Sequence, residues 1–205
     1  MQDRLNIAPT KSNLLDLRHR VEFLDQGYQL LEHKREMLTR LVYGQLKEYR
    51  VLRKTAQASL ARAYRSLSIT QMRMGTQRIR QLALGMPPAL TARVLPRRNM
   101  GVQYPSVDIS LQPLQPVGIL GTDVMLDETR KDFSDMALQM ARLAEVESAL
   151  WRLLEEQRKT QKRVNALKYN VIPRYWRTIK YVQTSLEEEE RNALFQLKLL
   201  QQGGQ

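Results

Sequence analysis

From Leu14 the chain steps by three and four residues in strict alternation: Leu14, Leu17, Val21, Leu24, Tyr28, Leu31, Arg35, Leu38, Val42, Gln45, Tyr49, Leu52, Ala56, Ser59 and Ala63. Twelve of these fifteen positions are apolar or aromatic, where the overall hydrophobic content of 42% would give about six. A seven-residue repeat held this long marks a helix wrapped on a partner helix, because 3.5 residues per turn keep one edge on one neighbour. Such a helix cannot fold back into a globule, so the pattern predicts a rod. A second stripe follows later: Met136, Met140, Leu143, Leu150, Leu154, Val164, Leu167, Val171, Tyr175, Val182 and Leu186, with polar stops at Gln157 and Gln161.

The breakers divide the chain. Residues 1–9 read as a disordered tail ending in Pro9, and Thr10 or Ser12 can cap a helix start with a hydroxyl. A long N-terminal helix is predicted over 10–84, about 110 Å at about 1.5 Å per residue. Gly27 and Gly44 lie inside it and off the seam, at about 1 kcal/mol each relative to Ala. Their expected role is close approach of a neighbouring helix. Thr55–Ala63 is rich in small residues, which either let helices approach closely or simply favour helix.

Gly85-Met86-Pro87-Pro88 ends the helix, since proline lacks the donor and restricts the residue before it. Residues 85–121 form a central region crowded with prolines. Ser106–Leu111 alternates polar and apolar as a half-buried strand does, and Ala92–Leu95 can pair with it. A small β-hairpin capping the far end of a helical hairpin is expected. Thr122 or Asp123 caps a C-terminal helix over 122–200, and 201–205 read as a tail. Asp127–Lys131, Glu155–Lys159 and Glu187–Arg191 are candidate pairs four apart. Pro173 sits deep in this helix and predicts a kink near Asn170. The fold class is therefore all-α dominated: a long antiparallel two-helix coiled coil, with N- and C-terminal helices, and a small central β-hairpin. In total it forms one coiled-coil domain.

The net charge of +12 is uneven. Residues 1–86 hold 16 Lys and Arg against 7 Asp and Glu, whereas residues 121–205 hold 14 against 13. This excess fits either a solvated basic helix or a surface for an anionic partner. Cysteine is absent, which excludes disulfides and sulfur ligation. No window approaches the roughly 18 apolar residues of a membrane span, and the first residues lack a signal-peptide core. A soluble, non-secreted protein is expected.

Residues for chemistry do not converge. His19 and His33 are about 21 Å apart along one helix and cannot share a metal. Phosphate loops, nucleophile elbows and zinc-helix motifs are missing. Glu187–Glu190 reads as a solvated acidic face or as a contact for a basic groove. No catalytic, cofactor-binding or metal residue is assigned, and no cofactor. The basic residues are spread round the helix and lack the dense block of a zipper-type DNA reader, so no nucleic acid is expected. Arg35 is the anomaly. On a dimer seam it buries a charge, so it either meets a carboxylate of the second helix or faces water or another subunit.

Several segments carry a resemblance. They are Pro9-Thr10-Lys11-Ser12-Asn13-Leu14-Leu15-Asp16-Leu17, Gly27-Tyr28-Gln29-Leu30-Leu31 followed by Lys34-Arg35-Glu36-Met37-Leu38, and Arg163-Val164-Asn165-Ala166-Leu167-Lys168-Tyr169-Asn170-Val171-Ile172-Pro173. Gly85-Met86-Pro87-Pro88, Pro116-Val117-Gly118, Thr178-Ile179-Lys180-Tyr181-Val182 and Phe195-Gln196-Leu197-Lys198 add to them in order. Together they resemble the D subunit of the V/A-type rotary ATPases (ATP synthases), the central shaft of the motor, while residues 89–115 match poorly.

The resemblance implies a non-catalytic rotor-shaft subunit that passes torque between the ATP-handling head and the membrane ion-translocating ring. It implies partners: catalytic and non-catalytic head subunits of A and B type, a small F-type subunit on the shaft, and a membrane rotor connector at the hairpin end. It implies a cytoplasmic complex peripherally attached to the membrane, with no direct membrane insertion by this chain. The coiled-coil stalk of another ATPase-driven apparatus, such as an export machine, or a basic nucleic-acid-binding coiled coil are the competing readings. Candidate partner contacts are Arg18, Arg20, Arg35, Arg40, Arg163, Asn165, Lys180 and Arg191.

Overall fold

The computed structural model describes residues 4–116, 118 and 122–202. The tail ends at 1–3 and 203–205, and Val117 of the Pro116–Gly118 segment, lie outside the described residues. The element order is α1 (Lys11–Met74), α2 (Thr76–Gly85), β1 (Leu90–Asn99), β2 (Val102–Leu111), α3 (Val124–Ala166), a π-helical turn (Leu167–Val171) and α4 (Ile172–Gln202). The protein is helix-dominated with one small antiparallel hairpin, as the hydrophobic periods predict.

The chain divides into two compact units, Met1–Met37 with Gln157–Gln205, and Leu38–Glu156. In the first unit Leu17 and Val21 of α1 form a core with Ile179 and Val182 of α4. Lys11 pairs with Glu190 at 2.7 Å, and Arg35 donates to Gln161 at 3.3 Å. Rising numbers on one helix meet falling numbers on the other, so the pairing is antiparallel. In the second unit Leu38 packs with Leu153, Ser66 bonds Asp132, and Arg73 meets Asp123 at 2.9 Å. That pairing is antiparallel too.

Residues 4–9 are anchored on the helices where a disordered tail was expected. Leu5 N–H donates to the fully buried Thr178 hydroxyl at 3.0 Å, and Leu5 and Ile7 pack on the Leu17–Val182 core. Arg174 donates to the Arg4 carbonyl, and the Arg4 guanidinium stacks 4.6 Å from the centre of the Tyr181 ring. Alternation of Leu5 and Ile7 with exposed Arg4 and Asn6 supplies the apolar edge that docks. Thr10 is the cap of α1: its hydroxyl accepts from Asn13 N–H at 3.2 Å.

The helix predicted over 10–84 is interrupted at Gly75, where φ 81 and ψ 146 fall in a region open to glycine alone. Nothing lies within 4 Å of a Cβ built on Gly27 or Gly44, so neither marks the close helix approach expected of it. Near Asn170, just before Pro173, the helix makes a π-turn: Ile172 N–H bonds the Leu167 carbonyl, five residues back. Asp127 pairs with Arg130 at 3.2 Å, not with Lys131.

The hairpin pairs as its alternation suggests, with Ala92 opposite Ile109 and Leu95 opposite Ser106, but the strands run further, through Pro96 opposite Pro105. Met100 (φ 50) and Gly101 (φ 79) form a two-residue turn with both φ positive, the geometry that matches strand twist. The closing pair Asn99–Val102 is hydrogen-bonded in such a turn. By alternation Pro96–Pro105 is then a non-bonded pair, where a missing N–H breaks no ladder bond. The hairpin is not a cap beyond the helices. Its tip folds onto them: Val102 is buried with Leu38 and Leu153, and Met100 packs beside it. Two strands alone are marginal in water, and this docking supplies the missing burial.

Candidate interaction surfaces

The seam of α1 sits inward throughout. Leu17, Val21, Leu38, Ala56 and Ala63 are buried, and Leu14, Leu24, Tyr28, Leu31, Val42, Tyr49 and Leu52 are half-buried. Arg35, Gln45 and Ser59 are half-buried as well. On the second helix Leu150 and Val164 are buried, and Leu143, Leu154, Leu167 and Val171 are half-buried. Met140 is the exception at 43% exposed. Val146 and Leu153, which the periodic reading skipped, are buried instead.

The seam also continues two steps past Ala63, to Ser66 and Thr70. Here it is polar. Thr70 and Thr129 hydroxyl oxygens are 2.7 Å apart, and each also reaches a backbone carbonyl one turn back, Ser66 at 2.9 Å and Met125 at 2.8 Å. Ser66 donates to Asp132. Because every buried hydroxyl has a partner, the layer costs little, yet it fits only one register. Hydrophobic periodicity cannot find such positions. The usable signal was the period itself, carried on through polar residues.

Arg35 is settled by its neighbours. Its guanidinium pairs with Glu32 on its own helix and donates to Gln161 across the seam. Gln161 in turn donates to Asn165 at 2.8 Å. The seam charge is thereby matched within the protein.

The other candidate contacts stand on the outside: Arg18, Arg40, Arg163, Asn165, Lys180 and Arg191 are all exposed. Arg20 is exposed and held by Asp16 at 2.9 Å; that hydrogen bond and charge, with a bond it donates to the Tyr175 hydroxyl, raise its pKa. Lys11 is likewise raised above its ordinary 10.5 by the hydrogen bond and charge of Glu190. The acidic run Glu187–Glu190 therefore has a basic contact inside the protein at one member. Large apolar side chains lie exposed beside these charges, including Phe23, Leu30, Trp176, Leu194 and Phe195. His19 and His33 are exposed, and among the described residues no three His, Cys, Asp or Glu are grouped to hold a metal. Among the same residues no helix is long and apolar enough to cross a membrane.

Antiparallel helix pairs with buried polar layers, charged outer faces and a docked β-hairpin define a coiled-coil protein. Comparison with known proteins agrees. The family model of the ATP synthase D subunit matches residues 13–202. The V-type ATP synthase D subunit of Thermotoga neapolitana is 35% identical over 199 residues, covering 97% of this chain and 98% of that one. The A-type ATP synthase D subunit of Pyrococcus furiosus is 32% identical over 202 residues, covering 97% and 94%. A V-type ATP synthase D subunit of Treponema pallidum, numbered 2 in that organism, is 34% identical over 195 residues, covering 95% and 93%. The chain belongs to the ATP synthase D-subunit family, a central-stalk component of the V/A-type rotary ATPases.

Proposed function

We propose that this chain is the turning shaft of its complex and carries no catalytic site of its own. ATP is made or hydrolysed in head subunits of A and B type that surround the shaft, and torque passes along it to a membrane ion-translocating ring. A small F-type subunit docks on the shaft, and a rotor connector joins it to the ring. The shaft works on the cytoplasmic side of the membrane, attached through that connector.

The observation that carries this reading is the family match over residues 13–202, on a chain whose polar seam groups are spent on its own helices. A shaft has to resist slip between its helices, and a matched polar layer resists it because any other register strands buried polar groups. The outer basic residues Arg18 and Arg40 are then available to a more acidic cavity in which the shaft turns. Arg20 is partly committed to Asp16.

The chain has no cysteine, so a single introduced cysteine is a clean handle. A cysteine replacing an exposed residue of α4, such as Leu194, is disulfide-bonded to one engineered into a head subunit of the purified complex. ATP hydrolysis should stop on oxidation and return on reduction. Continued turnover with the bond intact would refute the turning shaft. Neutralising Arg18, Arg20 and Arg40 together tests the electrostatic part: unchanged assembly and torque would remove it.

A further inference from the structure

The hairpin register sorts its side chains onto two faces. One carries Arg93 opposite Asp108, Leu95 opposite Ser106 and Arg97 opposite Tyr104. This mostly polar face meets the helices: Ser106 donates to Glu145 at 2.9 Å, and Val102 on the same face is buried against Leu38 and Leu153. The other face carries Ala92 opposite Ile109, Val94 opposite Val107 and Pro96 opposite Pro105, and only then Arg98 opposite Gln103. Val94 is 67% exposed, and Ala92 and Pro96 are exposed with it. A half-buried sheet ordinarily turns its apolar face to the core. On β1 this hairpin does the reverse, and leaves Ala92, Val94 and Pro96 as an exposed apolar strip beside the half-buried Pro105, Val107 and Ile109 of β2.

We propose that this outward face docks an acidic amphipathic segment from another polypeptide of the complex, with apolar side chains laid across Val94 and Val107 and carboxylates on Arg98 and Arg152. Charge complementarity selects this occupant. Arg98 is the charged residue on this face of the hairpin, Arg93 and Arg97 lying on the other, and its side chain has no ion pair or hydrogen bond among the described residues. Arg152 of α3 lines one groove with Val94, Pro96, Gln103 and Pro105 of this face and with Leu95 and Tyr104 of the other. The prolines decide how the occupant lies. Pro96 and Pro105 sit at a non-bonded pair, so each strand's outer edge lacks a donor midway. Strand addition along either edge is blocked, and the segment must cross the face. The proposal rests on the shaft reading only for where the partner is found.

The test places a photo-activatable benzoylphenylalanine at position 94 of the full chain within the purified complex. One other subunit should crosslink, through a peptide containing apolar residues and Asp or Glu. Reversing Arg98→Glu and Arg152→Glu together should cut the crosslink about 10-fold or more at low salt, with helicity and subunit composition unchanged. Val107→Asp should do the same by a separate route. Crosslinking only to lipid or to a second copy of this chain, no crosslink, or a yield indifferent to the Arg reversals would each overturn the proposal. Failure of the shaft reading is distinguishable, because this chain would then be missing from the purified complex before irradiation.

Discussion

Thr178→Val tests how the N-terminal segment is held. Thr178 is fully buried, and its hydroxyl donates to the Arg174 carbonyl at 2.8 Å and accepts from Leu5 N–H at 3.0 Å. Valine has nearly the same shape, so the change leaves no cavity. The bond to Arg174 matters little, since that carbonyl sits within the helical ladder of α4. What is lost is the acceptor for Leu5 N–H. If the segment stays in place, an unsatisfied buried donor costs about 1–3 kcal/mol. If it lifts away, the half-buried Leu5 and Ile7 leave the Leu17–Val182 core. Full burial of such a side chain is worth about 1.5–3 kcal/mol, so two half-buried ones forfeit a similar amount together. Freed backbone entropy, about 1–2 kcal/mol per residue, offsets much of that. The two routes are close in energy, and the segment should exchange between them.

The expected result is a loss of about 1–2 kcal/mol in urea unfolding. Amide exchange at Leu5 and Ile7 should rise about 10-fold, the factor that 1.4 kcal/mol of opening energy gives. Thr184→Val is the control: Thr184 is exposed and makes the same backward bond, to the Lys180 carbonyl at 3.0 Å, but accepts nothing from afar. It should stay within about 0.5 kcal/mol of wild type. Equal effects from the two substitutions, with exchange at Leu5 unchanged, would refute the anchoring argument.

Three further outcomes are expected. Thr70→Val and Thr129→Val should each cost about 1 kcal/mol, and the double variant less than their sum, with a coupling of about 0.5–1 kcal/mol in a urea double-mutant cycle. Leu38→Ala should cost about 2–5 kcal/mol and loosen the hairpin tip, seen as faster exchange at Val102; Leu84→Ala, at an exposed site, should cost less than about 0.5 kcal/mol. The Lys11–Glu190 pair raises the lysine pKa, so its stabilisation is complete below the ordinary value of 10.5 and is lost as pH rises through the higher folded value. Thermal unfolding of wild type and Lys11→Met should therefore converge at strongly alkaline pH, and also on adding salt at neutral pH.

Much of the fold was legible because it is written in a single period. The seam residues from Leu14 to Ala63 all turn inward, and the two central segments expected to pair as strands do pair. What escaped reading was set by contacts that no period encodes. The end of the long helix at Met74 depends on one glycine adopting φ 81, and glycine inside a helical pattern gives no hint of which φ it takes. Leu5 and Ile7 are too few to announce a docked segment, and the buried Thr178 that receives it looks polar in the sequence. The docking of the hairpin on Leu38 follows from Met100 and Val102 beside a tight turn, a tertiary contact more than fifty residues from its partner in the chain. Arg35 was visible as an anomaly, but its pair with Glu32, three residues back on the same helix, is one that a seam argument looking across does not seek.

The π-turn and Pro173 explain each other, and both follow from a phase step in the second helix. Gln157, Thr160, Val164, Leu167 and Val171 alternate in threes and fours on the inner face. An uninterrupted α-helix would next turn Arg174, Thr178 and Tyr181 inward, bringing a guanidinium into the core. The positions that pack on Leu17 and Val21 of α1 are instead Tyr175, Ile179, Val182 and Leu186, one residue later, while Arg174 and the buried Thr178 face the N-terminal segment through Arg4 and Leu5. A π-turn holds one extra residue without breaking the helix, which is the correction this step requires. It also widens the ladder where proline arrives. In a regular α-helix Pro173 would leave the Tyr169 carbonyl without its donor and press its ring against it, at about 3 kcal/mol or more. With Ile172 N–H already bonded five residues back to Leu167, the ladder just before the proline is shifted, and both the missing donor and the ring fall where the helix has opened. Proline here does not deform an otherwise regular helix. It occupies the turn that the change of phase has already made.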